Sequence, residues 1–269
     1  MSVTVDSPAD PVSRAFVRAR LDGRALDGFP GQLPRSLRDA YAIQTRSIAA
    51  WPDEIVGWKV GGVPDPFRSE FGADRLAGPI FARSVKAARE RATPMPVYAG
   101  GFAAVEAEFV LILGRDIAPG ACPATPAAAR EAVSAVHIGI EIASSPLGSI
   151  NDLGPMSVIS DFGNNAGLLL GPEVDEGCRA DLSRLPVSVA FDGEVIGEAR
   201  TTAEAPFEAA AFLIGLCAER GMALPAGTMI STGAITGVHR AEVGTRSVAA
   251  FGRAGSLSLE LVPAGPTGA

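Results

Sequence analysis

Up to about Asp53 the apolar positions recur at helical spacing, and beyond Ile55 they gather into short runs cut by glycine and proline. In the first part, residues 12–21 (Val-Ser-Arg-Ala-Phe-Val-Arg-Ala-Arg-Leu) repeat their apolar residues every three or four positions, which predicts an amphipathic helix. A second helix is predicted from Ser36, a suitable N-cap, through Gln44, with Pro30, Gly31 and Pro34 breaking the chain between the two. Strands are predicted at 56–60, 79–85, 103–113, 138–142, 187–191 and 195–199. The last two flank Asp192-Gly193, a tight-hairpin signal, and 256–261 alternates so that Leu257, Leu259 and Leu261 face a core. Two further helices are expected at 125–135 and at 206–220, the latter ended by Gly221. Strands grouped apart from helices make the expected class α+β, with a helical N-terminal region at 1–54 and a mixed-β domain at 55–269.

Within the strand at 103–113, Glu106 and Glu108 sit two residues apart, so the alternation of side chains puts both carboxylates on one face. Two buried acids side by side repel each other and lose hydration, which calls for a positive charge between them. Glu141 repeats the anomaly as an acid flanked by Ile140 and Ile142. Three carboxylates with no cysteine or histidine cluster suit a hard cation with oxygen ligands, Mg²⁺ or Mn²⁺, with positions left for water and a chelating substrate. The competing reading is that strand carboxylates face solvent. Lys59, between glycines in Gly57-Trp58-Lys59-Val60-Gly61, is either a partner for a substrate carboxylate and a proton-transfer group, or a lysine guarding a sheet edge. Of the two histidines, His137 reads as structural, and nothing requires a role for His239.

Composition narrows the classes. A chain of 269 residues with 47% hydrophobic and 20% charged residues can bury a large core. A net charge of −7 argues against nucleic acid, and no basic amphipathic or long apolar segment points to a membrane. The first residues lack the basic start and apolar run of a signal peptide. Cys122, Cys178 and Cys217 are an odd set without metal-ligand spacing, so a reducing cytoplasm is expected.

Several segments together resemble the fumarylacetoacetate hydrolase superfamily, in its branch of 2-keto-4-pentenoate hydratases and 4-oxalocrotonate decarboxylases. They are Ala40-Tyr41-Ala42-Ile43-Gln44, Gly57-Trp58-Lys59-Val60-Gly61, Val105-Glu106-Ala107-Glu108, Leu113-Gly114-Arg115-Asp116, Ile140-Glu141-Ile142, Asp161 with 168–171, and the run from Ser231 to Gly237. The resemblance implies a small helical N-terminal region before a mixed β roll or barrel-like domain. It implies Glu106, Glu108 and Glu141 as ligands of Mg²⁺ or Mn²⁺, and Lys59 as the active-site lysine. Lys59, Asp161, Asn164, Thr236 and Gly237 fall at substrate-binding positions. The implied substrate is a short unsaturated 2-oxo acid or its dienol, activated as a metal-stabilised enolate. A homo-oligomer is implied, with a complex with a pathway partner enzyme as a further possibility.

The chain departs from that branch's pattern where Leu76 replaces an acid, where Ser144 follows Ile142 in place of another, and where Phe162 and Asn164 replace an asparagine and a serine. A hydratase is the first expectation and a same-site decarboxylase the second. An acylpyruvate-type hydrolase is disfavoured because no histidine precedes His137, and a non-catalytic 2-oxo-acid binder is the last alternative.

Overall fold

The computed structural model describes residues 10–120 and 125–266; Cys122 and the first residues read above for a leader lie outside them. Helix α1 (Pro11–Asp22) starts where the Asp10 side chain accepts from the Val12 amide and stops at Gly23 in the left-handed conformation. Helix α2 (Leu37–Ala50) is capped by Ser36, as predicted, and extends six residues beyond Gln44.

In chain order there follow β1 (Ile55–Gly62), α3 (Phe67–Phe71), β2 (Arg75–Phe81), β3 (Val85–Ala87), β4 (Thr93–Val97), β5 (Phe102–Leu113), α4 (Pro126–Ala132), β6 (Val133–Ser145), α5 (Pro155–Ser160) and β7 (Asn165–Glu173). The chain continues with α6 (Glu176–Arg179), β8 (Val187–Phe191), β9 (Glu194–Ala199), α7 (Ala205–Glu219), β10 (Met229–Ser231), β11 (His239–Arg240), β12 (Arg246–Ala250) and β13 (Ser256–Pro263). The architecture is mixed α+β, as expected.

Two sheets form. One runs β2-β1-β10-β5-β6-β7-β3, with β11 joining β5; the other runs β4-β13-β12-β8-β9. The first contains parallel and antiparallel pairs, and it curls until β2, at one end, touches β7 near the other. Prolines 94 and 96 are tolerated because β4 is an edge strand. Residues from both sheets, including Val105, Phe109, Ile138, Leu257 and Leu259, meet in one large core with Phe207 and Leu213 of α7.

Three predicted elements change. The helix expected at 125–135 ends at Ala132, because Val133, Val136 and Ile138 enter β6, which pairs with β5 from Leu113↔Val133 to Phe102↔Ser145. That long ladder overrides the local preference of an alanine-rich stretch. The strand expected at 138–142 is correspondingly longer. The run 79–85 breaks after Phe81: a 3₁₀ turn at Ala82–Ser84 carries the chain to β3, which pairs parallel with β7. No helix among the described residues is long and apolar enough to cross a membrane.

Candidate active site

The centre of the first sheet has two chemically opposite faces. On β5, Val105, Ala107, Phe109 and Leu111 enter the large core. The intervening Glu106 and Glu108 therefore share the other face with Val110. Register does the rest. Glu106 lies directly across from Glu141 and Glu108 across from Gly139, so Glu141 joins the same face while its isoleucine neighbours enter the core. Lys59 pairs with Ser231, and Ser231 with Val110, which places the lysine on that face from a strand interior to the sheet. The edge-guarding role does not hold for Lys59.

Glu108 and Glu141 are fully buried, and Glu106 and Lys59 are each only 5% exposed. Ligand oxygens of the three acids lie within 4.8 Å of one another. One Glu108 oxygen, Oε2, accepts from Ser231 Oγ at 2.5 Å and from the Gly233 amide at 2.9 Å. Oε1 of Glu141 accepts from Asn165 Nδ2 at 3.0 Å and stands 3.6 Å from Lys59 Nζ. The remaining oxygens, Glu108 Oε1 and Glu141 Oε2, are buried without a hydrogen-bond partner. A buried oxygen without a donor costs several kilocalories unless a cation takes it, at least about 1–3 kcal/mol for a neutral group and more for a charged one. The donor set is all oxygen, closely spaced and short of positive charge, so it fits a hard divalent ion.

Electrostatics agree. Burial, then Glu141, pushes the Glu106 carboxyl up to about 7, with Lys59 pulling it back. Burial followed by Glu141 and Glu106 also raises Glu108. Burial pulls the Lys59 ammonium down, but Glu141, Glu106 and Glu108 outweigh it and the net shift is upward. Without a cation in the triad, Lys59 is thus held charged.

A cavity of 340 Å³ opens beside this cluster, lined at its inner end by Lys59, Glu106 and Asn164 and elsewhere by Leu76, Val158 and Gly237, among others. Asn164 stands in an unusual turn. Phe162, Gly163 and Asn164 are consecutive left-handed residues with φ of 55°, 66° and 64°. The turn lies so close to β2 that a Cβ at Gly78 would meet the Phe162 carbonyl oxygen at 2.0 Å. Asn164 Oδ1 is buried and unpartnered.

Of the residues expected to bind substrate, Lys59, Asn164 and Gly237 line the cavity, whereas Asp161 and Thr236 do not. The Asp161 carboxylate is taken by Arg20, through Nε at 2.5 Å and Nη2 at 2.9 Å, and by Ser145 Oγ at 2.6 Å. Thr236 Oγ1 is 2.9 Å from His239 Nε2. His137 bonds the Gly171 carbonyl, as a structural residue would. Ser144, at a departure from the resembled pattern, serves backbone: it donates to Phe102 O and accepts from Tyr98 N.

Sequence reasoning missed Arg20, although a cation at the buried stripe Ser13, Phe16, Val17, Arg20 was a readable signal. At and beside the changed positions, Asn164 lines the cavity and Asn165 donates to Glu141.

Comparison with known proteins agrees with this geometry. The Fumarylacetoacetate (FAA) hydrolase C-terminal family matches residues 70–261. The chain is 28% identical over 230 residues to 2-keto-4-pentenoate hydratase 2 of Dechloromonas aromatica (strain RCB), covering 81% of this chain and 83% of that protein. Its fold superposes on 4-oxalocrotonate decarboxylase from Pseudomonas putida G7, complexed with magnesium and adipate, with a TM-score of 0.78, 22% identity and coverage of 93% and 96% of the two chains. Against fumarylpyruvate hydrolase from Pseudomonas aeruginosa, in complex with Mn²⁺ and pyruvate, the TM-score is 0.54 at 20% identity, over 76% and 88%. With the family pattern spanning most of the chain and all three acids of the buried cluster, the protein belongs to the fumarylacetoacetate hydrolase family.

Proposed function

We propose that this protein is a divalent-metal-dependent lyase of the cytoplasm that acts on a short unsaturated 2-oxo acid, as a hydratase of the 2-keto-4-pentenoate type. One observation carries the reading: three buried carboxylates, two of them with unpartnered oxygens, adjoin a charged lysine at the inner end of a small cavity. Glu106, Glu108 and Glu141 would hold Mg²⁺ or Mn²⁺. When bound, the ion supplies Lewis acidity toward the carboxylate and 2-oxo oxygens of the substrate.

The chain's own residues divide the remaining work. Ser231 and the Gly233 amide fix one Glu108 oxygen, and Asn165 fixes one Glu141 oxygen, so the free oxygens are oriented before any ligand arrives. Lys59, nearly excluded from solvent, offers N–H donors to a substrate oxygen and stands where it can pass a proton to the carbon chain as water adds across the double bond. Asn164, with its unpartnered amide oxygen, can accept from a substrate hydroxyl or from the attacking water. Walls that exclude bulk water strengthen each of these interactions.

The TM-score of 0.78 with the decarboxylase favours a second reading, in which the same site releases CO₂ from a vinylogous keto acid. The two are separated by offering the metal-loaded protein 2-hydroxypenta-2,4-dienoate, 4-oxalocrotonate and an acylpyruvate, with and without EDTA. Metal-dependent hydration of the dienoate is the expected result, followed as loss of ultraviolet absorbance. CO₂ release from 4-oxalocrotonate would replace the hydratase by the decarboxylase, and cleavage to pyruvate would reject both. Glu106→Gln is expected to weaken Mn²⁺ binding roughly 100-fold, taking the upper end of what supporting residues of metal sites contribute; an unchanged Kd by calorimetry would remove the carboxylates from the metal-holding role.

A further inference from the structure

We infer that the cavity selects 2-oxo acids whose far end is uncharged and apolar, and rejects those that carry a second carboxylate there, with Leu76 as a specificity-determining residue. The inference rests on the function proposed above, which fixes the end of the substrate that enters first.

The cavity is graded from inside to outside. Its inner residues, Lys59, Glu106 and Asn164, are buried and polar. Its mouth is marked by the exposed Gly62, Pro64, Asn151 and Val238. Between the two, the wall is built by Leu76, Pro155, Val158 and Ala234. Lys59 carries the only positive charge among the described residues that line it. The same lysine already faces the acid cluster, 3.6 Å from Glu141. Arg68, on the short helix behind the mouth, does not line the cavity: its Nε donates to the Val63 carbonyl at 3.2 Å and lies 3.5 Å from Asp74.

A substrate whose carboxylate and 2-oxo oxygens engage the inner end therefore lays its carbon chain along Leu76 and Val158. A second carboxylate at that depth gives up much of its hydration and meets no cationic side chain beyond Lys59, on a face that already carries an excess of acid. A methylene or vinyl group in the same place gains from burial, by about fourfold in affinity per CH₂. The volume of 340 Å³ stands at the small end for ligand pockets, about 300–1,000 Å³, which suits a tail of few carbons. Leu76 holds the middle of this wall. It is 4% exposed, and its Cδ1 and Lys59 Nζ both approach the same glycine, 3.8 and 3.1 Å from a Cβ placed at Gly61. The side chain at position 76 thus stands where the charged head of the site gives way to its apolar wall.

The test is calorimetric titration of the Mn²⁺-loaded protein with pyruvate, 2-oxobutanoate, 2-oxopentanoate and 2-oxohexanoate, and with 2-oxoglutarate and 2-oxoadipate. Water-proton relaxation of the Mn²⁺ reports whether each acid reaches the metal. The expected result is affinity rising about fourfold per added methylene in the monoacid series, with 2-oxoadipate bound at least about tenfold more weakly than 2-oxohexanoate of equal length. Leu76→Ala is expected to flatten the rise with chain length. Asn151→Lys, at the exposed mouth, is expected to narrow the gap between 2-oxoadipate and 2-oxohexanoate, so the inference stays testable if the Leu76 variant does not fold. Equal or tighter binding of 2-oxoadipate by the unaltered protein would overturn the selectivity while leaving the metal-dependent function standing. Pyruvate binding with no gain along the series would do the same. Binding of none of the acids would reject the functional reading itself, and this inference with it.

Discussion

Two clusters of buried charge lie near each other in this protein, and they are built on opposite principles. In one, Arg20 of α1 meets Asp161, and both side chains are almost wholly buried. The guanidinium also donates to the carbonyls of Asn165, Ser144 and Asp161, and both carboxylate oxygens are paired. Burial pulls the Arg20 guanidinium down, but Asp161 beside it carries the net shift upward, so the charge is secure. In the other cluster, three carboxylates face a single lysine, and two of their oxygens have no partner. The first cluster is neutral and saturated, as a structural ion pair must be to survive burial. With all three acids ionised the second has two negative charges in excess, and a divalent cation supplies the same amount of opposite charge. Completeness, more than burial, separates the pair that holds the chain together from the set that waits for a ligand.

The sharpest way to break this comparison is to remove one charge from each cluster. Arg20→Met leaves Asp161 buried and alone, and is expected to cost about 3–5 kcal/mol in urea denaturation. Glu106→Gln in metal-free protein relieves repulsion, and is expected to leave stability unchanged or increased. Similar losses from both variants would erase the distinction.

The next effect depends on pH. Unfolded, Glu106 titrates at its ordinary value of 4.5; folded without metal, it keeps its proton to about 7. Between those values the folded state binds the extra proton, so the stability of the metal-free protein falls as pH rises, by up to about 3 kcal/mol from this group. Saturating Mg²⁺ is expected to abolish that slope in denaturation curves measured at pH 4.5 to 7. A slope that persists with Mg²⁺ present would mean that the ion does not engage this carboxylate.

The smallest expected effect sharpens the contact between the clusters. Asn165 offers its carbonyl to Arg20 and its side-chain amide to Glu141. Asn165→Ala keeps the first bond and deletes the second, so Mn²⁺ affinity should fall about tenfold while stability changes little. An unchanged Kd would show that Glu141 needs no such support.

Much of the acid cluster was legible in the sequence because strand alternation leaves Glu106 and Glu108 no choice but a common face. Glu141 could be singled out by its isoleucines, but its place across from Glu106 depends on register, which one strand alone does not encode. Lys59 was legible as a residue and ambiguous in role until β1 proved interior. Asp161 was placed near the substrate because its motif is local, whereas its partner Arg20 lies 141 positions away. Distance along the chain hides such a pair from any reading of periodicity. The shortening of the helix at 125–135 has the same origin: a partner strand, invisible locally, outcompetes a local preference.

Leu76 and Gly78 stand two positions apart on β2 and illustrate how differently neighbouring sites can be free to change. Gly78 accepts the turn of Phe162, Gly163 and Asn164 so closely that even a methyl group would collide with backbone. Leu76, although 4% exposed, lines the cavity. A lineage of such proteins could therefore explore new substrates through the first position while the second admits no experiment at all. The narrow gap at Gly78 thus separates inheritance of the scaffold from inheritance of taste.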